Sequence, residues 1–153
     1  MSFSDRQKTI HNMACGILTG SSLPKTTTSK ATIRAKAFTV LWQLNFRLEG
    51  TGGIKSEYPV AGLNERFDLV DTLERTVYEL KISEKNPKHE FFKDIFKVLI
   101  HNRNKPEDRF LKLVFMVPRK GADELNRGLG LEVRRMDEVL GFTIDVWDVS
   151  TLV

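Results

Sequence analysis

The run ERFDLVDTLERTVYELKI, residues 65 to 82, decides how this chain is read. Arg66 to Asp71 and Thr76 to Ile82 are short stretches rich in Val, Phe, Tyr and Leu, which predicts two strands joined as a hairpin. Side chains two apart on a strand share a face, about 7 Å apart. Glu79 and Lys81 therefore point one way, while Tyr78, Leu80 and Ile82 point the other way and can join a core. With residues 72 to 75 as the loop, Asp71 faces Thr76. Counting back along both strands then sets Asp68 opposite Glu79, with Cβ atoms roughly 5 Å apart. Asp71 lies an odd number of residues from Asp68 and points to the opposite face. The loop contains no Gly, Pro or Asn, so the register rests on its assumed length.

Facing carboxylates destabilise a sheet unless something neutralises them. A divalent cation does so, and carboxylate oxygens suit Mg²⁺ or Mn²⁺. An ion held by one or two carboxylates keeps positions open for water and a phosphate oxygen. It can lower the pKa of that water and stabilise charge building on phosphorus. Lys81 is placed to orient or deprotonate the water, or to balance the negative charge of the transition state. Asp68, Glu79 and Lys81 thus make a pattern suited to phosphodiester hydrolysis.

Outside this hairpin the chain alternates helical and extended patterns. Ser4 can cap a first helix running to about Leu18, with Ile10, Met13, Ala14, Ile17 and Leu18 as its apolar stripe and Gly20 as its stop. A polar loop broken by Pro24 follows. Ser29 can cap a second helix over about 30–48, whose inner face is read as Ile33, Ala37, Val40, Leu41, Leu44 and Leu48, widened by Phe38, Trp42 and Phe46. Residues 54–61 give a strand before the hairpin. Pro87 opens a third helix, 88–102, with Phe91, Phe92, Ile95, Phe96 and Leu99 inward. Phe110 to Val117 is a nearly continuous apolar run closed by Pro118, the pattern of a strand covered on both faces. Helices over 122–127 and 132–140, interrupted by Gly128 and Gly130, and a strand over 142–149 complete the chain. The expected class is α/β, with a mixed sheet containing a β-meander and flanked by helices.

A strand carrying Asp68, a hairpin, then Glu79-Leu80-Lys81 on the next strand resembles the PD-(D/E)xK nuclease superfamily, which includes many restriction endonucleases, Holliday-junction resolvases and repair nucleases. The order of elements from Lys30 to Val117 is similar to that superfamily's core. The resemblance implies a restriction endonuclease-like fold, Asp68 and Glu79 as metal ligands and Lys81 as the catalytic lysine. It departs from the pattern at two places. Phe67 rather than proline precedes Asp68, and the helix before the meander contains no acid, so Glu57 on the first strand, or Glu49, would stand in for it. The superfamily often adds a polar residue from the helix after the ExK strand, which points to Lys93 and Lys97.

Lys93 and Lys97 share a stripe with His89, and Lys30 and Arg34 open the second helix beside Lys25 and Lys36. Lys93, Lys97, Lys30 and Arg34 are the expected nucleic-acid contacts. The three histidines show no spacing for a shared metal, and no nucleotide-binding loop or Ser-His-Asp order occurs. The 153 residues carry 24 Lys and Arg against 20 Asp and Glu, a net charge of +4 that is compatible with a polyanionic partner. They are read as one nuclease-like domain, 1–153, with an N-terminal helix and loop over 1–29 and the catalytic core over 30–153. Cys15 is the only cysteine, and charged residues fill the first turns where a signal peptide needs an apolar stretch, so a cytoplasmic protein without a membrane span is expected.

The sequence thus leads to a Mg²⁺- or Mn²⁺-dependent DNA endonuclease, of restriction or structure-specific repair type, acting as a homodimer, with RNA left open as substrate. The alternatives are a nucleic-acid-binding module that keeps the fold without cleaving and a protein-interaction domain in which the same charges form a structural cluster.

Overall fold

The computed structural model describes residues 4–20, 31–48, 52–83 and 85–152. Helices α1 (Asp5–Gly20) and α2 (Ala31–Leu48) precede strands β1 (Ile54–Pro59), β2 (Arg66–Asp71) and β3 (Thr76–Leu80). Helix α3 (Pro87–Asn104) and a 3-10 turn at Pro106–Asp108 lead into β4 (Lys112–Val117). Three short helices, α4 (Arg119–Leu125), α5 (Gly128–Arg134) and α6 (Asp137–Leu140), then connect to β5 (Thr143–Asp148). The strands form one sheet in the order β1-β2-β3-β4-β5, antiparallel through the meander and parallel from β3 onward. The chain is therefore α/β with a mixed five-stranded sheet between helical layers. Among the described residues no helix is long and apolar enough to cross a membrane.

The sheet separates two apolar cores. On one face Ile10 and Ala14 of α1 and Trp42 and Phe46 of α2 pack on Leu69, Tyr78, Val114 and Met116. On the other, Phe91, Ile95 and Val98 of α3 and Ala122 and Leu125 of α4 cover Val70, Val77, Leu113 and Phe115. β4 lies between two parallel neighbours and is buried from Leu113 to Val117, as its unbroken apolar run implies. It begins two residues later than expected, because Asn102 clamps the Phe110 backbone through both its amide N–H and its carbonyl, at 2.8 Å each.

α1 starts at the expected cap: the Gln7 amide donates to Ser4 Oγ while the Ser4 amide donates to Gln7 Oε1, a reciprocal capping box. α2 corrects the sequence reading. Its buried stripe is Phe38, Trp42, Gln43 and Phe46, while Val40, Leu41 and Leu44 are 44%, 40% and 38% exposed. Three aromatic rings spaced four apart bury more area than the aliphatic set, so the helix is rolled toward them. The side chains of Ile33 and Leu48 lie outside the description. α3 is rolled likewise: Phe91, Ile95 and Val98 face the core and Phe96 is exposed, which brings Asp94, Lys97 and His101 inward as a buried polar stripe. Beyond β4 the two expected helices are three. Gly130, read as an interruption, lies inside α5 and permits close packing, since a Cβ there would fall 2.6 Å from the Leu125 carbonyl oxygen.

Candidate active site

β2 and β3 pair Asp71 with Thr76, Val70 with Val77 and Leu69 with Tyr78, the register expected from the sequence. The loop without Gly or Asn is organised by Asp71. Its Oδ1 accepts from the Leu73 and Glu74 amides at 3.0 and 3.2 Å, its Oδ2 accepts from Arg6 Nε at 2.6 Å, and Arg75 closes the turn at φ 51°. Continued one step, this register sets Asp68 against Glu79, although the pairing itself ends at Leu69 and Tyr78.

At that step the two strands part. Asp68 Oδ2 accepts a hydrogen bond from the Leu80 amide at 3.0 Å, so a side-chain oxygen takes the position a ladder carbonyl would fill. Side-chain alternation breaks at the same point. Leu69 belongs to the core under α1 and α2, whereas Phe67, two residues earlier, belongs to the core under α3. β1 carries the matching irregularity. Glu57, flanked by the pairs Ser56–Leu69 and Tyr58–Phe67, sits at φ 51°. On these registers Glu57, Asp68 and Glu79 lie in a row across three strands. Gln43 of α2 supports the row, its Nε2 donating to Glu57 Oε1 at 2.9 Å and to the Asp68 carbonyl at 2.8 Å.

From the opposite layer α3 delivers Lys97. Its Nζ donates to Glu79 Oε1 at 2.6 Å and to Asp94 Oδ1 at 2.9 Å, with the Phe67 ring 5.4 Å away. Glu79, Lys97 and Asp94 are 5%, 5% and 6% exposed. Burial pushes the Glu79 carboxyl well above the usual range, reinforced by the neighbouring Asp94 and Asp68 and opposed by Lys97. Burial also raises Asp94, to about 7, against the pull of Lys97. Asp68 is raised by burial in spite of the Leu80 amide and Lys97, and its carboxyl lies within hydrogen-bonding reach of Glu79. Burial alone would lower Lys97, but Glu79 and Asp94 outweigh it and its pKa is raised.

These groups line a cleft of about 370 Å³ between α2 and α3. Lys81 lines it too, on the same side as Glu79. Its Nζ is 3.5 Å from Glu90 Oε1 and its backbone amide extends the β3–β4 ladder to the Met116 carbonyl at 2.8 Å. Lys93 lies in the lining, 3.2 Å from Glu65, and Lys36 contributes from α2.

The structure therefore gathers Asp68, Glu79, Lys81 and Glu57 into one cleft. The expected nucleic-acid contacts divide. Lys93 lines the cleft; Arg34 stacks on Phe38, 5.3 Å from its centroid, and is outside the lining; Lys30 is outside the described residues. Lys97 is corrected. Instead of reaching out as a nucleic-acid contact it is buried, because α3 rolls to pair it with Glu79 and Asp94. Sequence reasoning missed Asp94 and Gln43. The i,i+3 spacing of Asp94 and Lys97 was a signal for the first, whereas Gln43 carried none.

Asp68 and Glu79 fit a small divalent cation in donor chemistry. They are hard oxygen ligands meeting in an acid-rich cleft, and Mg²⁺ is commonly held by only one or two carboxylates. Among the described residues no group of three His, Cys, Asp or Glu side chains forms a fuller metal shell. No protein-family model, no characterised protein and no solved structure matches this chain.

Proposed function

We propose that this protein is a Mg²⁺- or Mn²⁺-dependent deoxyribonuclease with a restriction endonuclease-like core. In this reading Asp68 and Glu79 hold the cation and Lys81 is the catalytic lysine. The observation that carries it is the meeting of Asp68 and Glu79, from adjacent strands, in a cleft that Lys36, Lys81 and Lys93 also line. The bound cation would supply Lewis-acid polarisation of the phosphoryl group and a lowered pKa for the attacking water.

The chain's own groups divide the remaining work. The Leu80 amide fixes one oxygen of Asp68 and holds its carboxyl beside Glu79. Lys81 has a half-exposed partner, Glu90, at 3.5 Å, and can exchange it for a phosphate oxygen to offset negative charge in the transition state. Lys36 and Lys93 attract a polyanionic backbone toward the cleft. Gln43 holds Glu57 and the Asp68 backbone in place, so that Glu57 serves as an accessory acid. One cleft cuts one strand, and a homodimer would present two.

The test is cleavage of supercoiled plasmid and of a four-way junction with Mg²⁺ or Mn²⁺. Activity abolished by both Asp68→Ala and Lys81→Ala supports the reading, and the preferred substrate separates a restriction-type from a junction-directed role. Activity that survives both substitutions, or none in the wild type together with no Mn²⁺ binding, overturns it. A second reading, a nucleic-acid-binding module without cleavage, is favoured by one observation: Lys97 already engages Glu79. Salt-dependent retention on DNA without cutting at any cation concentration would select it.

A further inference from the structure

Three lysines, Lys81 just past β3 and Lys93 and Lys97 of α3, line the cleft, and they are not equivalent. Lys81 and Lys93 form ion pairs with Glu90 and Glu65, both half-exposed. Lys97 is buried, and its ammonium is divided between Glu79 at 2.6 Å and Asp94 at 2.9 Å. Taking an ammonium and two carboxylates out of water costs several kcal/mol per ion. Only close mutual attraction keeps such a group in place, and here that attraction falls on the carboxylate proposed above as a cation ligand. An oxygen accepting a short hydrogen bond from an ammonium is a poorer ligand, and the adjacent positive charge repels a dication.

We propose that Lys97 is an internal competitor for the cation site: its ammonium holds Glu79 in the cation-free chain, and a divalent cation binds by drawing Glu79 away while Lys97 stays with Asp94. This rests on the metal-dependent reading of the cleft and adds what sets its affinity. Asp94 is then a positioning residue, acting through Lys97. It gives the ammonium an alternative partner once Glu79 turns to the cation.

The two members of the pair should therefore act in opposite directions. Lys97→Met removes the competitor and frees both acids. Asp94→Asn leaves Lys97 with Glu79 alone and removes one negative charge from the site. A purely structural pair would weaken binding in both variants, through a loosened cleft.

The experiment is calorimetric titration of the full chain with Mn²⁺ alone at mildly alkaline pH, with circular dichroism melts to establish folding. Lys97→Met should bind Mn²⁺ at least about tenfold more tightly than wild type, since a unit charge is removed within ion-pair distance. Asp94→Asn should bind more weakly, and Lys97→Arg should resemble wild type. A folded Lys97→Met that binds no more tightly than a binding-competent wild type overturns the competitor and leaves the metal-dependent reading standing. Measurable binding by Lys97→Met where the wild type binds too weakly to quantify supports it. No binding by wild type or by any folded variant overturns both. If Lys97→Met does not fold, Lys97→Gln takes its place: tighter binding supports the proposal, and equal or weaker binding overturns it.

Discussion

The Asp68 carboxylate stands in for a backbone carbonyl, accepting the Leu80 amide at 3.0 Å where β2 and β3 separate. The same bond that lets the strands part holds the carboxylate beside Glu79. Asp68→Ala leaves the Leu80 donor without this partner, at a cost of about 1–3 kcal/mol if water does not replace it. Asp68→Asn retains an acceptor and removes the charge. Urea unfolding should place the Asn variant within about 1 kcal/mol of wild type and the Ala variant below it, while Mn²⁺ binding and nicking are lost in both. Equal stability of the two variants would show that the Leu80 bond contributes nothing to the fold.

Gln43 joins α2 to the irregular part of the sheet through Glu57 and the Asp68 carbonyl. Gln43→Ala removes both bonds from a buried position. The expected loss is about 1–3 kcal/mol of stability, together with a fall in cleavage rate because Asp68 is no longer held from behind. Gln43→Leu keeps the volume but not the bonds, so a cleavage defect shared by both variants assigns the effect to hydrogen bonding. Unimpaired cleavage in both would remove Gln43 from the site.

The hairpin was legible because its information is local. A period of two, a loop of fixed length and one pairing choice are enough to set Asp68 against Glu79. The helices were legible in extent but not in rotation. On α2 and α3 the apolar residues occupy more than one face, so the periodicity admits several orientations, and the surfaces they meet decide among them. The rings of Phe38, Trp42 and Phe46 decide for α2, and the buried charges of Glu79 and Lys97 for α3. The break in alternation at Glu57 and Asp68 has no sequence signature, because positive φ at a glutamate arises from the tertiary context.

The rotation of α2 makes its own test. Trp42 is fully buried and donates its indole N–H to the Ile10 carbonyl at 3.2 Å, whereas Leu41 next to it is exposed. Trp42→Ala should cost about 3–5 kcal/mol, and Leu41→Lys should stay within about 0.5 kcal/mol of wild type. Thermal melts of the two variants check this directly. A large loss at Leu41 would mean that this side of the helix is covered in solution.

The acids under α3 give the fold a pH signature. Asp94 in the folded chain is raised from 3.8 to about 7, chiefly by burial. Between those values the folded state binds more protons than the unfolded state, so stability must fall as pH rises. The contribution of this carboxyl is fully present at pH values below 3.8 and is lost as pH rises through about 7. Glu79 shifts in the same direction and adds to the trend. Asp94→Asn removes one of the two groups. Wild-type stability measured against this variant by urea unfolding should therefore decline across the interval from about pH 4 to about pH 7 and level off above it. Protonation of Lys97 is unchanged over this range, because its pKa is raised from an already high 10.5. A difference that instead grows with pH would mean that the ion pair with Lys97 outweighs burial and that Asp94 is ionised throughout.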